Sequence, residues 1–424
     1  MNDTTDYFDL KETIGLLIDQ YIISNIIHYI QPKFNKSIID GVLSILITTL
    51  KDIYDVYDID NDQLKEMVKE SISSYYKHIL PIRSYSNTFI RFKQSDKYKK
   101  MMKEKIEYLQ HIPQPEQRTP EWYEFRYNHL TASNIWKTFL TESTRNQLIY
   151  EKCQPLNMDK YSGPSTSSLE SPLHWGQKYE PLSVMLYEKI YSTKVSDFGC
   201  LPHPILSCLA ASPDGINTLE SSNRYGRMLE IKNIYNREIT GIPKLEYWVQ
   251  MQVQMEVCDL NECDFLETRF KEYETQKEYE TDTTTEYKGL IMLFVNETGH
   301  PIYEYAPIEK TIMTNTFDEW CEEIMNKNEN NTWIKNIYWR LDEMSCVLVL
   351  RNKLWFSVAT QPIENIWKII EEEKVSGNYV NRGPKKTNTT SSKGKKQNTT
   401  IGNETDINIK NSSTCFIDTT IFDG

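Results

Sequence analysis

Apolar residues recur at three- and four-residue spacing through Leu16, Ile18, Ile22, Ile23, Ile26 and Ile27, the period of a helix that buries one face. A helical reading holds to about residue 115 and takes in a basic run, RFKQSDKYKKMMKEK (91–105). IPQPEQRTPEW (112–122) then reads as a linker, because its prolines cannot continue a helix. Thr119 caps a new helix, with Pro120 at its first position and Glu121 and Glu124 in its first turn. Thr131 or Ser133 starts a second helix, and HWGQKYEPLSVMLYEKIY (174–191) reads as a long amphipathic one. Short strands with turn signals follow in DFGCLPHP, CLAASPDGINT and GRMLEIKNI. A helix is expected over 246–258, and strands return near 263–270 and 288–295.

This order of helix, strands, helix and strands predicts an α/β (α+β) unit. Four regions are expected: a helical N-terminal region (1–115), a core (116–310), a mixed and mostly helical C-terminal region (311–375), and a polar tail (376–424). The tail, with GPKKTNTTSSKGKKQNTTIGNETD, has the composition of a disordered segment. At 424 residues the chain exceeds one ordinary core and suggests two or three domains, and 39% hydrophobic content is enough to bury a sizeable core.

The formal net charge of −12 argues against a protein that coats nucleic acid through bulk charge. A DNA enzyme with this balance needs a local basic groove and metal ions. Eight cysteines are dispersed, with no C-x-x-C, so neither a disulfide framework nor a zinc ribbon is expected. The compartment reads as intracellular and reducing, not secreted. MNDTTDYFDL is not a signal peptide, and GVLSILITTL is too short to span a bilayer, so no membrane partner is expected.

LEIKN (229–233) carries the chemistry. On a strand, positions i and i+2 share a face, so Glu230 and Lys232 point one way and Leu229 and Ile231 the other. Alone, such a pair is an ordinary solvated ion pair. Upstream, SPDG (212–215) places Asp214 at the end of a neighbouring strand. Two convergent carboxylates repel unless a proton or cation intervenes, and hard oxygen donors suit Mg²⁺ or Mn²⁺. The backbone carbonyl of Ile231 is a further candidate ligand, and Glu180 in WGQKYEP another. Lys232, a compact point cation, would hydrogen-bond a metal-bound water or stabilise charge on a phosphate. In YWVQMQVQM, Gln250, Gln252 and Gln254 fan around one helix, so only one or two can face the site.

Taken together and in order, EWYEFRYNHLTAS, HWGQKYEP, SPDG, LEIK and YWVQMQVQM resemble the PD-(D/E)XK nucleases, and within them the YqaJ viral recombinase and lambda-exonuclease family, over about 118–295. The resemblance implies a restriction-endonuclease-like core with a central mixed sheet flanked by helices. It implies Glu180, Asp214 and Glu230 as ligands of one or two Mg²⁺ ions, with Mn²⁺ as the alternative, and Lys232 as the catalytic lysine. The family's downstream glutamine maps best to Gln252, with Gln250 as its neighbour. Arg126, Ser133 and Ser212 map to a 5′-phosphate pocket, Arg126 through a bidentate fork and Ser133 as a donor at a helix N-terminus. The expected activity is 5′-to-3′ exonuclease action on linear double-stranded DNA in recombination, repair or viral DNA processing. A single-strand annealing protein is the family-level partner, and a homo-oligomer is open. The rivals are a structure-selective endonuclease on the same core and a non-catalytic DNA-binding or virion protein.

Overall fold

The structure is a computed structural model that describes residues 3–49, 60–86, 94–117, 119–157, 172–308 and 314–383. The polar stretch from residue 384 onward, expected to be disordered, lies outside them, as does most of the Ser/Pro/Gly-rich loop after residue 157.

Three helices open the chain: α1 (Asp3–Asn25), α2 (Phe34–Thr49) and α3 (Asn61–His78). On α1 the buried stripe is Leu10, Ile14, Ile18, Ile22 and, just past its end, Ile26. Leu16 and Ile23, expected in the core, are 66% and 55% exposed. The four-residue step selects the stripe and leaves these two off its axis.

After β1 (Tyr85–Ser86) and α4 (Asp96–His111), the chain runs through α5 (Pro120–Tyr127), β2 (Leu130–Thr131), α6 (Glu142–Cys153) and α7 (Pro172–Tyr191). Short strands β3 (Val195–Ser196), β4 (Leu201–Pro202), β5 (Leu209–Ala211) and β6 (Gly215–Asn217) precede β7 (Met228–Asn233). Then come α8 (Leu245–Val257), β8 (Glu262–Glu272), α9 (Gln276–Thr281), β9 (Lys288–Val295), β10 (Pro301–Tyr305), α10 (Thr314–Lys327), β11 (Thr332–Leu350) and α11 (Lys353–Ser376).

The main sheet has the order β10-β9-β11-β8-β7-β6-β3, with β1 added beside β11. It is mixed: β7 and β8 run parallel, while β6–β7, β8–β11 and β9–β11 are antiparallel. Helix α7 covers Leu229 and Ile231 through Val184, Tyr187 and Tyr191. Helix α8 packs on the other face, where Met228, Cys263 and Phe265 join Trp248 and Val249. The fold is the expected α/β arrangement of a mixed sheet flanked by helices.

Two expected boundaries do not divide the molecule. One hydrophobic cluster runs from Leu10 and Ile14 through Trp248 to Trp355, so the N-terminal helices and the central unit share a core. Arg83 pins this junction, donating to the carbonyls of Tyr29 (3.0 Å), Ile30 (2.7 Å) and Pro243 (2.8 Å). The region after 310 supplies β11, a strand of 19 residues in the interior of the sheet. Residues 377–382 also depart from the expected tail. Gly377 turns the chain at φ +73°, and Arg382 then reaches back to Glu373 and Asn146.

Candidate active site

Strand β7 places Glu230 and Lys232 on the α8 face, as alternation requires. Glu230 is fully buried, and Lys232 donates to it. Asp214 lies between β5 and β6 and accepts from the Ile231 amide at 2.7 Å. The next residue, Gly215, lets β3 pack close to β6, because a Cβ there would sit 2.2 Å from Val195 Cγ1. Glu180 comes from the middle of α7, just before Pro181. Proline cannot donate to the carbonyl four residues back, so the helix is locally open beside this acid. Glu180 and Asp214 line one cavity of about 630 Å³.

The electrostatics of the group are those of anions crowded together. The Asp214 carboxyl is held well above the usual carboxylate range, first by burial, then by Glu230 and, more weakly, by Glu180. Burial alone would lower the Lys232 ammonium, but Glu230 and Asp214 outweigh it and keep it above its ordinary value. Lys232 is thus a firmly protonated donor. Among the described residues no three carboxylate, His or Cys groups are gathered into a ready-made metal cage. The donor set still fits a hard divalent cation: all oxygen, and mutually repelling without a counter-charge. Ile231 brings its backbone to the same point, through the amide that Asp214 accepts.

The glutamine expected at the site is elsewhere. Gln252 donates to the Leu350 carbonyl (3.0 Å) and accepts from the Asn352 amide (2.7 Å), tying α8 to the β11–α11 corner. Gln254 takes its place: its Nε2 donates to Glu230 Oε2 (2.7 Å) and to the Ser212 carbonyl (3.1 Å). Gln250 lies four residues before Gln254 and shares its helix face. Two-residue steps on a helix advance about 200°, so Gln252 faces away from both. The sequence carried this signal in its spacing but not the rotation of the helix.

The three residues of the expected phosphate pocket are brought together by a second, small sheet, β2-β5-β4. Strands β2 and β5 run parallel, with Leu130 opposite Leu209 and Thr131 opposite Ala210. The Ala132 amide donates to the Ala210 carbonyl at 3.0 Å, which sets Ser133 beside Ser212. Arg126 donates to Ser133 Oγ at 3.2 Å and stacks over the Trp122 ring at 4.3 Å. The Cys200 thiol faces both Ser212 and Arg126, and burial pushes it up. Ser212 Oγ is buried, and the Cys200 thiol is the polar group facing it. One expectation fails: Ser133 does not start an α-helix. It sits in a turn before a five-residue 3₁₀ helix, Ile135–Phe139, whose first flanking residue is Asn134, so no helix dipole supports it.

A further wall was not foreseen. The segment read as a linker packs against the site instead. Gln114, Pro115, Glu116 and Gln117 line the cavity of Glu180 and Asp214. Gln114 accepts from the Gly199 amide (2.6 Å), and Gln117 donates to the Phe198 carbonyl (3.1 Å).

Residues 121–261 match the model of the YqaJ-like viral recombinase domain. An uncharacterized protein of Acanthamoeba polyphaga mimivirus is 28% identical over 361 residues, or 74% of this chain and 62% of that protein. The chain thus spans less than two thirds of that relative's length. Among solved structures, an alkaline exonuclease (LHK-Exo) from Laribacter hongkongensis aligns with 62% of this chain and 98% of its own, at 16% identity and a TM-score of 0.36. A phage related exonuclease from Haemophilus somnus aligns with 60% and 99%, at 11% identity and a TM-score of 0.33. The matched span, residues 121–261, holds Arg126, Glu180, Asp214, Glu230 and Lys232, and over it the chain is similar to the YqaJ-like viral recombinase domain.

Proposed function

We propose that this protein is a divalent-metal-dependent exonuclease that digests linear double-stranded DNA from 5′ ends. The observation that carries the reading is the shared wall between the two groups. Ser212 of the anion pocket and Asp214 of the carboxylate group are two residues apart on one turn, and Gln254 touches both Ser212 and Glu230. A terminal phosphate held at one is therefore beside the other.

Glu180, Asp214, Glu230 and the Ile231 carbonyl would hold Mg²⁺ or Mn²⁺, as one ion or two. When bound, the ion supplies Lewis acidity at the phosphodiester. The protein's own residues do the rest. Lys232, kept protonated by its two acidic neighbours, donates to phosphate oxygen as charge builds there. Gln254 fixes the Glu230 carboxylate. Arg126, with Ser133 and Ser212 as hydroxyl donors, grips the end phosphate and sets which bond is presented. Exposed 3′ strands would then serve recombination, in keeping with a viral or intracellular setting and an annealing-protein partner.

The test is Mg²⁺-dependent digestion of linear duplex with a 5′ phosphate, the same duplex with a 5′ hydroxyl, and covalently closed circles. Loss of the linear forms alone, faster with phosphate, is expected. Nicking of the circles would replace the reading with a structure-selective endonuclease. No cleavage with either ion would replace it with a non-catalytic DNA-binding protein.

A further inference from the structure

Beneath Arg126 lies a second cation that the nuclease motifs do not include. Lys152, on α6, is only 8% exposed. Its ammonium donates to the carbonyls of Arg126 (2.6 Å) and His129 (2.5 Å), where α5 gives way to β2. A third cation arrives from α11: Lys374 is half-buried and stacks over the Tyr127 ring at 4.2 Å. Neither lysine is in an ion pair among the described residues. Three cations from α5, α6 and α11 thus meet at one corner, where the Cys200 thiol faces Arg126, Lys152 and Ser212.

The two lysines are costly in the free protein. Charges buried without counter-charges are normally paired or neutralised. Burial first, then Arg126 and Lys374, push the Lys152 ammonium down to about 7, while Cys200 and Glu151 oppose them. Lys374 is lowered too, chiefly by burial. A doubly charged anion at Arg126 would relieve both. The acids in reach do so only weakly: Glu151 on α6, which faces Lys152, is bonded to Lys137 at 2.7 Å, and Glu371 on α11 and the Cys153 thiol, which face Lys374, do not outweigh its burial. The remaining titratable groups facing Lys152 are the Cys200 thiol and His129, whose ring is bonded back to the Phe125 carbonyl.

We propose that Lys152 and Lys374 form the cationic floor of the end pocket, and that they set its preference for a terminal phosphate dianion over a phosphodiester. This rests on the end-pocket reading of Arg126. Lys152 acts as a positioning residue, through the carbonyls that close α5 and through its charge, and not by touching the reacting atoms. The helix after residue 350, foreign to the five nuclease motifs, thereby becomes part of substrate selection.

The experiment uses the full chain with Mg²⁺. It reads the ratio of digestion rates for 5′-phosphorylated and 5′-hydroxyl linear duplex from pH 7 to 9, where the terminal phosphate is already a dianion. A ratio taken on each preparation is insensitive to partial misfolding. In the wild type the ratio is expected to fall as pH rises, because Lys152 loses its proton. Lys152→Met should cut the ratio about tenfold at pH 7 and flatten its pH dependence, and Lys374→Met should cut it about threefold. If Lys152→Met is insoluble, Lys374→Met carries the test alone. Arg126→Ala is the control. If Arg126→Ala abolishes the preference while both lysine variants keep the wild-type ratio and pH profile, this inference is wrong and the end pocket stands. If Arg126→Ala also keeps the preference, the pocket itself is misassigned and the inference falls with it.

Discussion

Gln252 and Gln254 are two residues apart on α8 and belong to different parts of the protein. Gln252 satisfies a buried carbonyl and a buried amide at the β11–α11 corner. Gln252→Ala should cost about 2–4 kcal/mol of stability, since both partners stay buried, and leave activity per folded molecule near wild type. Gln254 instead fixes Glu230. Gln254→Ala should lower turnover about tenfold or more with a smaller loss of stability. Thermal melts and rates on the same preparations separate the two, and a swap of these outcomes would return Gln252 to the site. Asp214 gives a prediction of opposite sign. Its folded-state carboxyl is raised, by burial and then by Glu230 and Glu180. A raised carboxyl stabilises only while protonated, so that contribution is lost as pH climbs above about 4. Asp214→Asn should therefore raise the metal-free melting temperature at pH 7 by about 2–4 °C, and abolish cleavage. A lower melting temperature would mean that the carboxylates are not in conflict.

Elements decide what the motifs touch. Strand alternation made the shared face of Glu230 and Lys232 legible in the sequence, and helix capping made α5 legible from Thr119, whose Oγ1 accepts from the Trp122 amide at 3.3 Å. The parallel pairing of β2 with β5 was not legible. Both are two- or three-residue strands, and their partners lie 79 positions apart, Leu130 against Leu209. Without it, Ser133 and Ser212 were linked only by resemblance. The segment 112–117 misled for a different reason. Prolines exclude a helix but say nothing of packing, and its contacts are with the Phe198–Gly199 backbone. Gly199 reveals how close this fit is, because a Cβ there would meet the Pro115 carbonyl oxygen at 2.6 Å. Gly199→Ala should displace the segment, at a cost of about 1–3 kcal/mol, and make it the first site of proteolytic nicking. Unchanged cleavage by protease around residues 112–117 would show that the wall is not held from that side.

Across the whole molecule, sequence motifs picked out the candidate site residues but not the unit that folds. They spanned about 118–295, whereas the sheet takes β11 from residues 332–350 and β1 from residues 85–86. Trp248 at the start of α8 packs against Tyr29 (5.3 Å) and Trp355 (5.2 Å), one from each flank. A fragment of residues 116–310 should therefore lack near-UV circular dichroism, while residues 1–383 retain it. A cooperatively folding 116–310 fragment would contradict the shared core. The central claim concerns the intact chain, that Glu180, Asp214, Glu230 and Lys232 make it a DNA phosphodiesterase. Its most direct test measures, on full-length protein with Mg²⁺ and 5′-phosphorylated linear duplex, both cleavage and DNA affinity for wild type and Lys232→Ala. The account predicts that cleavage falls by at least about a hundredfold while affinity stays within roughly twofold. Near-wild-type cleavage by Lys232→Ala would contradict it.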